Sequence, residues 1–429
     1  VDLDLSMTVR LLHSADLHLD APLRATAMAD PELFEVVETA SRRALDCLVE
    51  HCRNEEIAAL LLAGDVFDGA VRSIRSAAVF MTRMQALNEA GVQVYMIRGN
   101  HDAENDAPWK LDLPPNVHEF GVKGGVHPVP NLDEGVRIRV HGVSFGERSA
   151  PDSLLPLFAR PEDDGVDIGL LHTSLSGASG HDPYAPCSVG DLVGHGYDYW
   201  ALGHVHSRTV HAEGPNWIVM PGAPQCRHIN ETGKNSATEI TLRNCGVSGI
   251  REVPTAAVLF EHVEIPCEGV APSDIPVLCR TAAERCAAST LSSGQQLVIR
   301  FHLVGAPETL RPLRFNADLR RELVREELRA LETCWLEDLK FAPVLAGPAT
   351  SPPETGVIAE LAALMRDLAG RPGMRRELEE ILASHLDPLP GHLRERLCRD
   401  EEAQARLSDD VLAEAIEDTV AALDGEVDE

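Results

Sequence analysis

Tyr197-Asp-Tyr-Trp-Ala-Leu-Gly-His-Val-His206 is an apolar run that ends in a glycine and two histidines spaced i, i+2. Residues 199–202 have the character of a buried strand. Gly203 permits a tight turn with no Cβ to obstruct it. If the chain stays extended beyond it, His204 and His206 share a face and point into one pocket. One such pair says little. The fold follows because other strand ends in the chain carry the same punctuation.

Working outward, residues 9–13 form a short apolar run that leads into Asp16-Leu-His18. Residues 31 to about 54 have the spacing of an amphipathic helix. Residues 57–63 are a second strand, ending in Gly64-Asp65-Val-Phe-Asp68. A helix is predicted from 73 to about 90. The strand at 92–97 ends in Gly99-Asn100-His101-Asp102, and the strand at 166–171 ends at His172. This β-α-β-α-β rhythm predicts a mostly parallel sheet with helices on its faces. Ligands of such sheets gather beyond the carboxyl ends of the strands, where all these polar groups fall.

The chain has 429 residues, which points to two or three domains. A first, larger domain is expected over 7–255 and a small α+β domain over 256–346. Residues 347–355 (Gly-Pro-Ala-Thr-Ser-Pro-Pro-Glu-Thr) have a linker's composition, and 356–429 form an acidic helical segment. The apolar stripes of that last segment have no evident home in the earlier domains, so it is expected to dock on a partner. Net charge is -30, from 68 acids against 38 bases, and only 4% of residues are aromatic. That balance disfavours a free-standing, non-specific nucleic-acid binder and a stacked-ring grip on single strands. The ten cysteines include no Cys-x-x-Cys pair and suit a reducing cytoplasm. No basic-then-apolar leader is seen, and no apolar run approaches the roughly 18–20 residues that span a bilayer.

The strand-end groups are Asp16, His18, Asp65, Asn100, His172, His204 and His206. A mixed nitrogen and oxygen set without thiolate suits Mn²⁺, Fe²⁺, Zn²⁺ or Mg²⁺. Seven donors are too many for one ion with open positions, so two ions are expected, with Asp65 as the bridge. Asp16, His18, Asp65 and His206 are assigned to one ion. Asp65, Asn100, His172 and His204 are assigned to the other. Two such cations about 3.5–4 Å apart clamp a phosphate and supply a hydroxide for in-line attack. His101 is the general acid or electrostatic stabiliser, a role typically contributing about 10²–10⁴-fold. Asp68, read as one helical turn past Asp65, orients His101 or a water. Arg227 and His228 are either substrate-phosphate contacts or parts of a plain turn. Asp20, Asp102 and His13 are read as caps or supports behind the ligands.

Asp16-x-His18, Gly64-Asp65-x-x-Asp68, Gly99-Asn100-His101-Asp102, His172 and Gly203-His204-x-His206 resemble the five-motif pattern of calcineurin-like metallophosphoesterases. The local spelling around Asp16, Asp65 and Tyr199–His206 is similar to SbcD/Mre-type DNA exonuclease subunits. The stretch from Pro221 to Gly233 resembles the YhaO-type branch. The resemblance implies a metallophosphoesterase β-sandwich flanked by helices, with a small α+β capping domain that helps hold DNA. It implies a manganese-preferring 3′→5′ exonuclease and endonuclease of DNA repair or processing, a homodimer, and an SMC/Rad-like ATPase bound by the C-terminal segment. The expected location is cytoplasmic, with the nucleoid. Many of the wider Mre group carry a second histidine where this chain has Asp68. Two alternatives stand beside this reading: a small-molecule or nucleotide metallophosphoesterase, and a non-cutting metal-binding scaffold for an ATPase.

Overall fold

The computed structural model describes residues 8–19, 31–68, 73–103, 112–130, 132, 137–148, 150–175, 184–233, 235–243, 246–314, 316–343 and 357–371, together with 373, 381, 412 and 416. The chain divides into two compact units: residues 1–261 with 289–299 and 333–337, and residues 262–288 with 300–332 and 338–429.

In the first unit, chain order is β1 (Thr8–Ser14), α1 (Pro31–Asn54), β2 (Ile57–Ala63), α2 (Ile74–Glu89), β3 (Gln93–Ile97), α3 (Asn100–Ala103), β4 (Val117–Glu119), β5 (Gly125–Pro128) and β6 (Ile138–Gly142). Then come β7 (Val166–His172), α4 (Val189–His195), β8 (Tyr199–Gly203), β9 (Thr209–Ala212), β10 (Trp217–Met220), β11 (Ser236–Arg243) and β12 (Gly246–Pro254). The strands form two six-stranded sheets, ordered β12-β11-β1-β2-β3-β4 and β5-β6-β7-β8-β10-β9. Strands β1 to β4 pair in parallel, as do β6, β7, β8 and β10; β11, β12, β5 and β9 add antiparallel edges.

The central strands are apolar on both faces because both faces are covered. Leu11, Ala59, Leu61, Tyr95 and Ile97 of one sheet meet Val140, Ile168, Leu170, Tyr199 and Ala201 of the other in the sandwich interior. The alternate residues Leu12, Leu60, Leu62, Val94 and Met96 pack on Leu45, Leu48, Phe80, Met84 and Leu87 of α1 and α2. On the second sheet's outer face, Leu171, Trp200, Leu202 and Ile218 pack with Leu192 of α4 and Phe158. Two faces per strand, alternating residue by residue, turn an unbroken apolar run into a two-sided core element.

The sandwich flanked by helices is therefore present, and its parallel strands match the β-α-β-α-β reading. The single sheet expected from that rhythm is in fact two sheets, one beginning with β1 and the other with β5. The β11–β12 hairpin, β9 and the short α4 were not read from the sequence. α4 is held by a capping box between Ser188 and Asp191 and ends at Gly196 with φ 95°.

A three-stranded sheet is ordered β13 (Val258–Pro266), β14 (Gln296–Gly305), β15 (Cys334–Pro343). The second unit carries most of α5 (Ile275–Thr290), with α6 (Pro307–Arg314), α7 (Ala317–Arg329) and α8 (Val357–Ala369). Its buried residues include Ile275, Cys279, Phe301, Leu303, Val324, Leu328 and Leu339. Ile416 is buried against Met365 and Ala369. Asp20, the stretch 347–355 and most of the segment after 371 lie outside the described residues. Among the described residues no helix is long and apolar enough to cross a membrane, and the eight described cysteines show no disulfide.

Candidate metal centre

Register brings the polar strand ends together. His172 pairs with Gly203 across β7 and β8, Ala63 with Ile97 across β2 and β3, and Ser14 with Leu62 across β1 and β2. The loops leave their strands still joined: the Asp16 amide donates to Gly64 O at 3.0 Å and the His18 amide to Asp65 O at 3.1 Å.

The backbone here is strained in one sense. Asp16 (φ 55°), His18 (φ 44°), Asp65 (φ 50°) and His204 (φ 107°) all lie at positive φ. Non-glycine residues are uncommon there and such outliers gather at functional sites. The expectation that His204 and His206 share the face of an extended segment is therefore corrected: the strand ends at Gly203 and a turn, not the pleat, aims the two rings. The reading of Asp65 to Asp68 as a helical turn is likewise corrected, since the segment is an irregular loop.

Close packing decides two glycines. A Cβ on Gly203 would lie 2.1 Å from Ala63 O, and one on Gly99 would lie 2.2 Å from Asp65 Oδ1. Only a residue without a side chain lets these loops approach.

All seven sequence-selected donors converge. His18 Nε2 is 3.2 Å from His206 Nε2, 4.0 Å from Asp16 Oδ1 and 3.9 Å from Asp65 Oδ2. His206 Nε2 is 4.0 Å from Asp16 Oδ1. On the other side, His172 Nε2 is 3.0 Å from Asn100 Oδ1 and 3.4 Å from Asp65 Oδ2, and the His204 ring lies 5.2 Å from the His172 ring. Asp16, His18 and His206 can present one ligand atom each within 4.8 Å of one another, as can Asp16, Asp65 and His172. Asp65 reaches both groups, and so does Asp16. The carboxylates and imidazole nitrogens meet with no arginine or lysine paired to Asp16 or Asp65 among the described residues. Donors of that chemistry, so disposed, fit two divalent ions.

The supports are equally definite. His172 Nδ1 donates to Ala63 O at 2.9 Å, which turns Nε2 toward the cluster as the nitrogen a bound cation would meet in place of a proton. His13 donates Nε2–H to Leu202 O and accepts from Tyr199 Oη, each at 3.0 Å, so it ties β1 to β8 as a support. Burial holds the His13 imidazole neutral, lowering it to about 3. Asp102 accepts from the amides of Val66, Phe67 and Gly99 at 3.1, 3.0 and 3.2 Å and pins the Asp65 loop to the Asn100 loop. Burial, then the charge of Asp65, push its carboxyl up to about 6 against those three hydrogen bonds.

His101 stands beside the donors. Its amide donates to Asp65 Oδ1 at 3.0 Å, and its Nδ1 is 2.7 Å from Asp68 Oδ1. Asp68 also faces His18 Nδ1 at 3.3 Å and Arg227 Nη1 at 3.6 Å. Burial opposes charge on His101, but Asp68 and Asp65 outweigh it and raise its basicity. Arg227 and His228 turn toward Glu231, with Arg227 Nη2 3.7 Å and His228 Nε2 3.4 Å from Oε1. Glu231 itself was not singled out in the sequence. Its signal was an acid four residues after Arg227 in a turn-rich stretch.

Residues 9–208 match the calcineurin-like phosphoesterase family, and residues 260–343 match the middle domain of metallophosphoesterase YhaO. The chain thus carries a calcineurin-like phosphoesterase domain. Within that class it is a homologue of the metallophosphoesterase YhaO of Bacillus subtilis (strain 168), at 35% identity over 242 residues, which cover 55% of this chain and 58% of that protein. It is also similar to the DNA double-strand break repair protein Mre11 of Methanosarcina mazei, 25% identical over 61% of this chain and 40% of the relative. The SbcD component of nuclease SbcCD from Bacillus subtilis is 25% identical over 52% of this chain and 64% of the relative. The chain spans from about two fifths to just under two thirds of the length of these relatives.

Proposed function

We propose that the protein is a two-metal DNA phosphodiesterase, a 3′→5′ exonuclease and endonuclease that prefers Mn²⁺. The observation that carries this reading is the convergence of Asp16, His18, Asp65, Asn100, His172, His204 and His206 from five loops. Bound there, two divalent ions would polarise a phosphodiester and activate a water for attack on phosphorus. Asp16, His18, Asp65 and His206 would hold one, and Asp65, Asn100, His172 and His204 the other. His101, set by Asp68, gives a proton or a positive neighbour to the leaving oxygen.

The similarity to a repair protein and to a component of a nuclease supports DNA as substrate. Residues 256–346 are assigned as the capping domain that steadies DNA. The acidic segment 356–429 is assigned to an SMC/Rad-like ATPase, and the phosphoesterase domain to a homodimer, in a cytoplasmic complex at the nucleoid. Deleting the chain beyond Pro353 should abolish co-purification with the ATPase.

The test is incubation with Mn²⁺ and either linear DNA or bis-p-nitrophenyl phosphate. Cleavage of DNA is expected. Turnover of the small ester alone, with DNA untouched even when the ATPase is present, would overturn the assignment. The net charge of -30 makes that rival, a small-ester phosphoesterase, the one to exclude.

A further inference from the structure

Glu231 lies outside the seven donors yet contacts the groups that surround them. Its Oε1 is 2.8 Å from His206 Nδ1, 3.4 Å from His228 Nε2 and 3.7 Å from Arg227 Nη2. Its Oε2 accepts the Arg227 amide at 2.8 Å, which fixes the carboxylate's own orientation. Arg227 then reaches Asp68 Oδ2 at 3.6 Å through its other nitrogen. Asp68 and Glu231 are thus two carboxylates joined by one guanidinium. Each faces the Nδ1 side of a histidine whose Nε2 points at the donor cluster: Asp68 that of His18, Glu231 that of His206.

A carboxylate can only accept here, so the proton of a neutral His206 must sit on Nδ1. Nε2, 3.2 Å from the matching atom of His18, is then left with its lone pair toward the cluster. Without Glu231, the neutral ring would be free to carry its proton on either nitrogen. One tautomer cannot ligate through Nε2.

We infer that Glu231 is the positioning residue that sets the tautomer and aim of His206, and that Arg227 serves chiefly to lock Glu231 to Asp68, not to hold substrate. This rests on the two-ion reading above. It also gives the stretch from Pro221 to Gly233 a definite task, since Arg227, His228 and Glu231 all come from it.

The test uses the full-length protein, freed of metal and titrated with Mn²⁺ alone by calorimetry, with no DNA present. Wild type should bind two ions. Glu231→Ala should weaken one of the two sites by about 10–100-fold and spare the other. Glu231→Gln, whose amide oxygen still accepts from Nδ1–H, should recover most of that loss. ¹⁵N spectra of histidine-labelled, metal-free protein give a second readout. His206 should be protonated at Nδ1 in wild type and Glu231→Gln, and shift toward the Nε2–H form in Glu231→Ala. Wild type that binds two ions, with both variants matching it in affinity and tautomer, would overturn the role of Glu231 alone. Wild type that binds no pair of ions would overturn the two-ion reading, and this inference with it.

Discussion

Asp167 near the start of β7 and His172 at its end are both buried, and they sit among polar partners of opposite kind. Asp167 accepts from Arg139 Nε and Nη2 at 2.9 and 3.0 Å, from His141 Nε2 at 2.6 Å and from the Glu162 amide at 3.0 Å. A full cation balances it. Burial alone would raise its carboxyl, but Arg139, His141 and that amide outweigh burial and hold it below the usual range. At the other end, His172 faces Asn100, Asp65 and the His204 ring, in loops held at positive φ. One end of the strand is a closed structural network. The other end gathers ligand-type groups in which, among the described residues, Asp16 and Asp65 meet histidines and no arginine or lysine. A buried polar cluster that already contains its counter-charge belongs to the fold; one that does not is where function should be sought.

Substitutions at the two ends should therefore separate stability from activity. Asp65→Asn removes the shared carboxylate. Phosphodiesterase activity with Mn²⁺ should fall on the order of 10³-fold, the scale set by losing several kcal/mol of transition-state charge stabilisation. The melting temperature of the metal-free protein should change little. A variant that keeps its activity would erase the distinction. His101→Gln should cost about 10²-fold or more in turnover while calorimetry still finds both ions. If DNA cleavage is unchanged, the general-acid assignment is wrong.

Asp167→Asn should do the reverse. It leaves Arg139 without its buried partner and should destabilise the fold by about 3 kcal/mol in urea titration. Mn²⁺ binding per folded molecule should stay the same. Loss of binding without loss of stability would show that the two ends of β7 are not independent.

A smaller effect sharpens the same contrast. Because the folded-state pKa of Asp167 is depressed, its contribution is present above the unfolded value of about 3.9. It is lost as pH falls through the folded pKa. The stability gap between wild type and Asp167→Asn should thus be full at pH 6 and narrow steadily below about pH 4. A gap that widens on acidification would contradict the sign.

The sequence made one end of β7 legible and left the other obscure, for a physical reason. Asp65, Asn100 and His204 each follow a glycine at which an apolar run stops abruptly, and His172 itself closes the apolar run of β7. Asp167 and Arg139 are interior to their strands, and nothing local in the sequence shows that they pair across β6 and β7. The β11–β12 hairpin was hidden similarly, because Ser236-Ala-Thr-Glu-Ile-Thr-Leu-Arg243 takes its place beside β1 through long-range pairing. The aim of His204 and His206 was reached by a faulty route. Strand alternation would place both rings on one face, whereas His204 at φ 107° turns toward His172 and His206 toward His18. Glu231 was missed because its meaning lies in distance to His206, a residue 25 positions away.

The most direct measurement is anomalous diffraction from crystals grown with excess Mn²⁺. Two peaks about 3.5–4 Å apart are expected. One should lie among Asp16, His18, Asp65 and His206, the other among Asp65, Asn100, His172 and His204. A single peak, or none, with those seven side chains turned away from one another, would contradict the account.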